Sequence, residues 1–373
     1  MRESWLDNQL NAFDADLPIE EAWLPPSSWY TDESVYVIER RTVFHNNWLI
    51  AARTDQVRKP GDFAAGFMAG EPYVVVRGED GVLRAFFNVC RHHAAAVMLG
   101  EGCTDVMECP YHGWRYGLDG RLLSAPELGG VRDFDREAFG MVPMNVREWG
   151  PLVFISMGKQ PAQWSADLAE LGRRLDKMNW AGLHFAERRS YTLECNWKVF
   201  VDNYLDGGYH VSCLHRGLAG QLDLDTYKTE IFDRYSVQSV AGRGGSGGAA
   251  RPRATDFRER IGYGALYAWI YPNLMINRYG PMMDLNWVLP RGHNQTEVIF
   301  DYFFSEVDGR AARDFMTDSL AASDLVQQED VGVCESVQRG LQSSSYDRGR
   351  YSVKREMGEH HFHSLLTGDF ALR

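Results

Sequence analysis

The chain has 373 residues, 45% hydrophobic and 13% aromatic, enough to bury a substantial core and to divide into two domains. Its 39 basic and 51 acidic residues leave a net charge of −12 with no long basic run. That balance argues against nucleic acid or an anionic membrane surface as a partner and favours a small cation or a basic protein. No apolar run reaches membrane-spanning length, and the start Met1-Arg2-Glu3-Ser4-Trp5-Leu6-Asp7 lacks a charged and then apolar signal pattern. Six cysteines lie scattered without a disulfide framework, so a cytoplasmic, reducing location is the expectation.

Residues 1–39 read as an N-terminal segment that packs on a later domain. Residues 40–157 are rich in short strands and Gly-containing turns: Pro72-Tyr73-Val74-Val75-Val76-Arg77 and Leu83-Arg84-Ala85-Phe86-Phe87-Asn88-Val89 flank Gly78-Glu79-Asp80-Gly81. This pattern predicts a β sandwich or barrel. It carries two short pairs, Cys90-Arg91-His92 and Cys109-Pro110-Tyr111-His112, the second followed by Gly113-Trp114. Each pair offers one thiolate and one imidazole. That mixed division suits a Rieske [2Fe-2S] centre, whose thiolates hold one iron and whose imidazoles hold the other. A zinc site accepts the same residue types but normally pairs Cys with Cys and His with His. His93 and Cys103 fall outside the spacing and read as packing residues.

Residues 158–373 form the second domain, with helical composition over 162–178, strands over 265–304 and a long helix over 311–341, an α+β arrangement. The Gly-rich stretch 241–248 reads as a plain surface loop, with a lid beside a pocket as the alternative. Asn196 is a reasonable N-cap, and Trp197, Phe200 and Tyr204 recur at helical spacing, so a helix should lead towards His210. His215 would lie about 140° from His210 on a regular helix and so belongs past its end or on a distorted turn. Two imidazoles and one carboxylate with open positions make a non-haem Fe(II) site, and Asp330 is the carboxylate candidate. Val326, Asp330, Val333 and Val337 are spaced four, three and four apart, which puts Asp330 on the apolar face of a helix. The closing Gly358-Glu359-His360-His361-Phe362-His363 resembles a metal motif, but packing or hydration is the expected role of these histidines.

With both constellations in place, the chain resembles the oxygenase component of Rieske non-haem iron oxygenases over nearly its full length. It is most similar to the choline monooxygenase and quaternary-ammonium branch, through Asp202-Asn203-Tyr204-Leu205-Asp206-Gly207-Gly208-Tyr209-His210, Leu222-Asp223-Leu224-Asp225-Thr226-Tyr227, Arg278-Tyr279-Gly280-Pro281 and residues 329–340. The resemblance implies a Rieske [2Fe-2S] β-sandwich domain and a helix-grip catalytic domain. It also implies a cluster on Cys90, His92, Cys109 and His112, mononuclear iron on His210, His215 and Asp330, and a homotrimer in which one subunit's cluster reduces its neighbour's iron. An acid bridging the two sites usually stands three residues before the first iron histidine. Here that position is Gly207, so the bridge falls to Asp206, with Asp202 as the alternative.

No nicotinamide or flavin fingerprint appears, so a separate NAD(P)H-dependent flavin or iron-sulfur reductase is implied. The resemblance implies O₂ and a small quaternary ammonium compound as substrates, either choline going to betaine aldehyde or a betaine-type molecule undergoing N-demethylation. Alternatives are an aromatic or other N-methyl substrate, or an electron-transfer protein without catalysis. A trimethylammonium group donates no conventional hydrogen bond, so aromatic faces and acidic charge must recognise it. Tyr204, Tyr209, Tyr267, Trp269, Tyr271, Tyr279, Trp287 and Tyr302 are the available rings, with Asp284 and Glu297 for charge. About three of the rings should touch substrate, with Trp269, Tyr271 and Trp287 named first.

Overall fold

A computed structural model describes residues 2–164, 166, 168–219, 222–242 and 264–372; of the Gly-rich stretch, residues 243–248 lie outside the described set. The chain forms two compact units, Phe44–Gln163 and Met1–Val43 together with Trp164–Arg373. These boundaries fall a few residues beyond the limits read from sequence at 39 and 157. Among the described residues no helix is long and apolar enough to cross a membrane.

The 44–163 unit is built from β1 (Leu49–Arg53), β2 (Asp62–Met68), β3 (Glu71–Arg77), β4 (Leu83–Phe87), β5 (Glu101–Cys103), β6 (Met107–Glu108), β7 (Arg115–Tyr116), β8 (Leu122–Ser124), β9 (Pro143–Trp149) and β10 (Leu152–Ser156). Seven strands pair in the order β1-β10-β9-β4-β3-β2-β5, and β6-β7-β8 form a small second sheet. Gly78 to Gly81 close the β3–β4 connection, with Gly78 N–H donating to Val82 O at 2.9 Å and Gly81 at φ +76°. One core gathers Val74, Val76, Phe86, Met107, Trp114, Tyr116 and Leu122 around Cys90 and Cys109. The cysteine loops thus rest on the apolar face of the sheet.

The other unit carries α1 (Arg2–Leu10), α2 (Ser28–Thr31), α3 (Glu33–Glu39), α4 (Leu168–Lys177), α5 (Trp197–Leu205), α6 (Arg216–Ala219), α7 (Arg310–Leu341) and α8 (Met357–Phe370). Its seven antiparallel strands are β11 (His184–Leu193), β12 (Leu222–Ile231), β13 (Tyr235–Gly242), β14 (Gly264–Ile270), β15 (Leu274–Tyr279), β16 (Met282–Pro290) and β17 (Thr296–Phe304), in the order β11-β17-β16-β15-β14-β13-β12. The 32-residue α7 spans roughly 48 Å at 1.5 Å per residue. It packs against α5 and β11, while α5 also touches α8 and β16. The sheet therefore holds α5 between itself and the two C-terminal helices.

The N-terminal segment is anchored by a buried ion pair. Lys198 and Glu39 are both fully buried, with Trp197 Nε1 donating to Glu39 Oε2 at 2.8 Å and Lys198 Nζ to Asn196 Oδ1 at 2.7 Å. Burial pushes Glu39 up and Lys198 down, against their mutual attraction. Such a pair survives only because each charge is matched. Arg278 likewise plays a structural part: its guanidinium donates to the carbonyls of Met178, Tyr279, Gly280 and Met282, closing the β15–β16 turn.

Candidate active site

The two cysteine loops are matched turns. Ala94 N–H donates to Cys90 O and Gly113 N–H to Cys109 O, both at 3.0 Å, while Cys90 N–H bonds Ala95 O and Cys109 N–H bonds Trp114 O, both at 2.8 Å. Both thiols are buried, and the rings of His92 and His112 meet edge to face with centroids 4.7 Å apart. Burial and the neighbouring Cys90 push the Cys109 thiol up, whereas a metal would hold both sulfurs as thiolates. Tyr116 Oη lies 3.3 Å from Cys90 Sγ and accepts the Arg91 amide at 3.0 Å. The His92 ring stacks on Trp114 at 4.9 Å, and its Nδ1 is buried with no hydrogen-bond partner among the described residues. An orphaned imidazole nitrogen beside two buried thiols fits a group that supplies its partner, as the cluster does. His93 lies 4.0 Å from His92 ring to ring, and Cys103 is exposed at the β5 edge.

In the second unit α5 begins at its predicted cap, Asn196 accepting from Lys198 N–H, but stops at Leu205, short of His210. Irregular turns follow, with Cys213 and Leu214 N–H donating to His210 O and His215 N–H to Val211 O. This bend brings the His210 and His215 rings to 4.9 Å. His210, His215 and Asp330 each turn one ligand atom to within 4.8 Å of the others, and Asp330 Oδ1 lies 3.1 Å from His215 Nε2.

Behind each histidine stands a carboxylate: Asp206 Oδ2 is 2.6 Å from His210 Nδ1, and Glu329 Oε2 is 2.6 Å from His215 Nδ1. Asn203 Nδ2 donates to Asp330 Oδ1 at 2.9 Å. Burial lowers the proton affinity of His215, but Asp330 and Glu329 outweigh it, leaving a net rise. A divalent cation satisfies the same negative surroundings, so the donor set fits mononuclear Fe(II). Glu329 and Asn203 flank residues singled out in the sequence, yet only the fold shows which way they point.

Position 207 has no room for an acid. Gly207 and Gly208 sit at φ +68° and +70°, and a Cβ on Gly207 would come within 2.2 Å of Arg355 O. The nearest carboxylate is one residue earlier: Asp206 contacts His210 Nδ1 and also accepts the His210 backbone N–H at 2.9 Å. Asp202 faces elsewhere, towards Tyr30 and His363.

A cavity of about 160 Å³ opens beside His210, His215 and Asp330. One cross-strand row of the sheet furnishes much of its wall: Gln238 pairs with Tyr267, Tyr267 with Asn277 and Asn277 with Asp284. Tyr204, Tyr227 and Tyr279, with Phe200 and Phe300, complete the aromatic lining, and burial raises Tyr204 and Tyr227 so that both stay neutral phenols. Asp284 is 3% exposed and accepts from Tyr279 Oη at 2.7 Å, Asn277 Nδ2 at 2.7 Å and Asn286 Nδ2 at 2.9 Å.

Of the eight rings read from sequence, Tyr204, Tyr267 and Tyr279 line this cavity, and Tyr227 was missed. Trp269, Tyr271 and Trp287 do not line it, which corrects the expectation for them. Trp269 and Tyr271 pack under Phe362 of α8, with Tyr271 Oη donating to Asp369 at 2.7 Å, and Trp287 sits beneath the Arg188 guanidinium. Glu297 is spent on Arg291. Tyr227 lies on the edge strand β12, outside the strand-rich run 265–304 read from sequence. Its signal was the Leu222-to-Tyr227 motif, whose Tyr227 Oη donates to Gln238 Oε1 at 2.9 Å.

Comparison with known proteins agrees with this geometry. Residues 47–135 match the Rieske [2Fe-2S] domain family, and residues 180–367 match the ring hydroxylating alpha subunit catalytic domain. The chain is 44% identical to the chloroplastic choline monooxygenase of Arabidopsis thaliana over 96% of its own length and 86% of that protein. It is 30% identical to the carnitine monooxygenase oxygenase subunit of Escherichia coli K12, over 94% and 95% of the two chains. Its fold superposes on a quaternary ammonium Rieske monooxygenase crystallised with L-carnitine at a TM-score of 0.80, with 29% identity and coverage of 94% and 96%. The chain belongs to the Rieske non-haem iron oxygenases, as an oxygenase alpha subunit carrying a [2Fe-2S] cluster and a mononuclear iron.

Proposed function

We propose that the chain is a monooxygenase that hydroxylates a small quaternary ammonium compound, choline or a betaine-type relative, using O₂ and electrons from a separate NAD(P)H-dependent flavin or iron-sulfur reductase. The observation that carries this reading is the cavity beside His210, His215 and Asp330, walled by four tyrosines and backed by the buried Asp284 carboxylate. Ring faces and one buried negative charge recognise a cation that offers no hydrogen bond. Relatives named for choline and carnitine support the same class.

In this reading Cys90, His92, Cys109 and His112 hold the cluster, and His210, His215 and Asp330 hold the iron. The iron, when bound, supplies dioxygen activation with electrons passed from the cluster. The chain's own residues set the stage for it. Asp206 and Glu329 fix the tautomers and orientation of His210 and His215, Asn203 orients Asp330, and Tyr204, Tyr227, Tyr267 and Tyr279 hold the ammonium head and exclude water. Hydroxylation of the carbon next to oxygen gives an aldehyde hydrate, and hydroxylation next to nitrogen gives a hemiaminal that loses formaldehyde.

Asp206 is our choice for the acid that links the iron site to a neighbouring subunit's cluster in a homotrimer, supported by its contact with His210 Nδ1 and by its partial exposure. The free cysteines support a reducing, cytoplasmic setting. Measuring O₂ consumption matched to product for choline, glycine betaine, carnitine and aromatic acids, with a reductase supplied, tests the proposal. Tight coupling is expected with one of the ammonium compounds. Coupled turnover of an aromatic acid, with none of the ammonium compounds accepted, would sink it.

A further inference from the structure

A second cavity in the same unit, about 220 Å³ against about 160 Å³ for the one beside His210 and His215, lies between α5, α7, α8 and the N-terminal segment. Its walls include Tyr30, Tyr346, Val337 and Leu341, and its charged groups are Asp202 and Glu359. No lysine or arginine lines it. Glu359 is 7% exposed and has no hydrogen-bond partner among the described residues. Burial and the acids Asp202, Glu356 and Asp206 push it well above the usual carboxylate range. A buried carboxyl among acids stays protonated or needs a cation from outside.

Two kinds of cation deserve comparison. Asp202, Glu359 and His363 have ligand atoms within 4.8 Å of one another, as a metal site would. But His363 is already spent: its Nδ1 lies 2.6 Å from Tyr351 Oη, and its Nε2 lies 2.9 Å from Tyr30 Oη and 3.1 Å from Asp202 Oδ1. A metal ion would have to break those contacts. An organic cation needs only the unpaired carboxyl and the aliphatic and aromatic wall that the cavity already presents.

We infer that this cavity is a second binding site for a small organic ammonium ion, with its charge towards Glu359 and Asp202 and its alkyl groups against Tyr30, Tyr346, Val337 and Leu341. The site stands on its own lining and shares only the ligand class with the proposed substrate. Asn203 lines both cavities, so a bound ion here touches the residue that orients Asp330.

Calorimetric titration of the oxidised, metal-loaded oxygenase with tetramethylammonium, without reductase so that nothing turns over, tests the inference. Two sites per chain are expected in the native protein. Glu359→Gln should weaken one site about tenfold or more, and Tyr346→Ala, at a half-exposed position that the fold tolerates, should weaken the same one. Asp284→Asn should weaken the other. A single site sensitive to Asp284→Asn and indifferent to Glu359→Gln and Tyr346→Ala overturns the second site and leaves the substrate reading intact. A site sensitive to Glu359→Gln, with none sensitive to Asp284→Asn, overturns the substrate reading and leaves the second site. Stoichiometric Mn²⁺ binding that Glu359→Gln abolishes, in place of tetramethylammonium binding, overturns the ammonium assignment.

Discussion

The cluster loops and the iron site use the same residue, histidine, in opposite ways. In the 44–163 unit the His92 ring lies flat on Trp114 and its Nδ1 has no partner among the described residues, an opening that fits a cluster iron. In the catalytic unit both His210 and His215 are held from behind by carboxylates at 2.6 Å before any metal arrives. The proposed cluster ligands sit on short turns closed by their own backbone hydrogen bonds, whereas Glu329 reaches His215 across 114 residues of chain. An electron carrier needs only two stiff loops. A site that activates dioxygen needs an imidazole frame that does not turn, and the fold supplies it from distant segments.

Breaking the iron side outright should have the largest effect. His210→Ala or Asp330→Ala is expected to remove the mononuclear iron while both cluster irons and the visible cluster absorption remain. Turnover should fall about a thousandfold or more, and metal analysis per chain together with coupled product formation reads both effects. Loss of the cluster in these variants would contradict the separation of the two sites.

The anchoring pair comes next. Lys198→Met leaves Glu39 buried without its cation and should cost about 3–5 kcal/mol in urea unfolding, and pairing it with Glu39→Leu should recover most of that. A single variant as stable as the parent would show that the N-terminal segment is held by other contacts.

The carboxylates behind the histidines sharpen the contrast more finely. Glu329→Gln is expected to weaken iron binding about 10- to 100-fold in chelator competition, with the cluster spectrum unchanged. Asp206→Asn should slow delivery of electrons from the reduced cluster to the iron, read by rapid mixing; unchanged transfer would move the bridge elsewhere. Smallest of the set, Asp284→Asn should raise KM for the ammonium substrate about tenfold with little change in kcat, since the uncharged amide keeps some of the local hydrogen bonds. An equal fall in kcat would place Asp284 in the chemistry and not in binding.

Spacing made some parts legible. The paired Cys-x-His and Cys-x-x-His loops and the Asn196 cap can each be read from a window of a few residues, and the long α7 from its composition. The stripe Val326, Val333 and Val337 points to Asp330, but the buried line of α7 runs through Leu320, Ser323, Gln327, Cys334 and Gln338, with Val337 left 45% exposed. Asp330 faces the cavity from the edge shared by both lines. The aromatic set divides for a related reason: Trp269, Tyr271 and Trp287 pack in the core, whereas Tyr267 of β14 and Tyr279 of β15, together with Tyr204 of α5, line the cavity. Size and burial do not tell a cavity wall from a core, because both remove apolar surface from water.

By itself the sequence determined the two units, the cluster motif, the histidine pair with its partner Asp330, and the family to which the chain belongs. Strand register decided which side chains form the wall, since pairing alone brings Gln238, Tyr267, Asn277 and Asp284 into one row. Tertiary packing decided the rest: that Gly207 meets the Arg355 carbonyl while Asp206 meets His210, that Glu329 lies behind His215, and that Glu359 lines a second cavity with no hydrogen-bond partner among the described residues. Local chemistry is written in adjacent residues, but the direction of a side chain and the neighbour it meets depend on segments far apart in the chain.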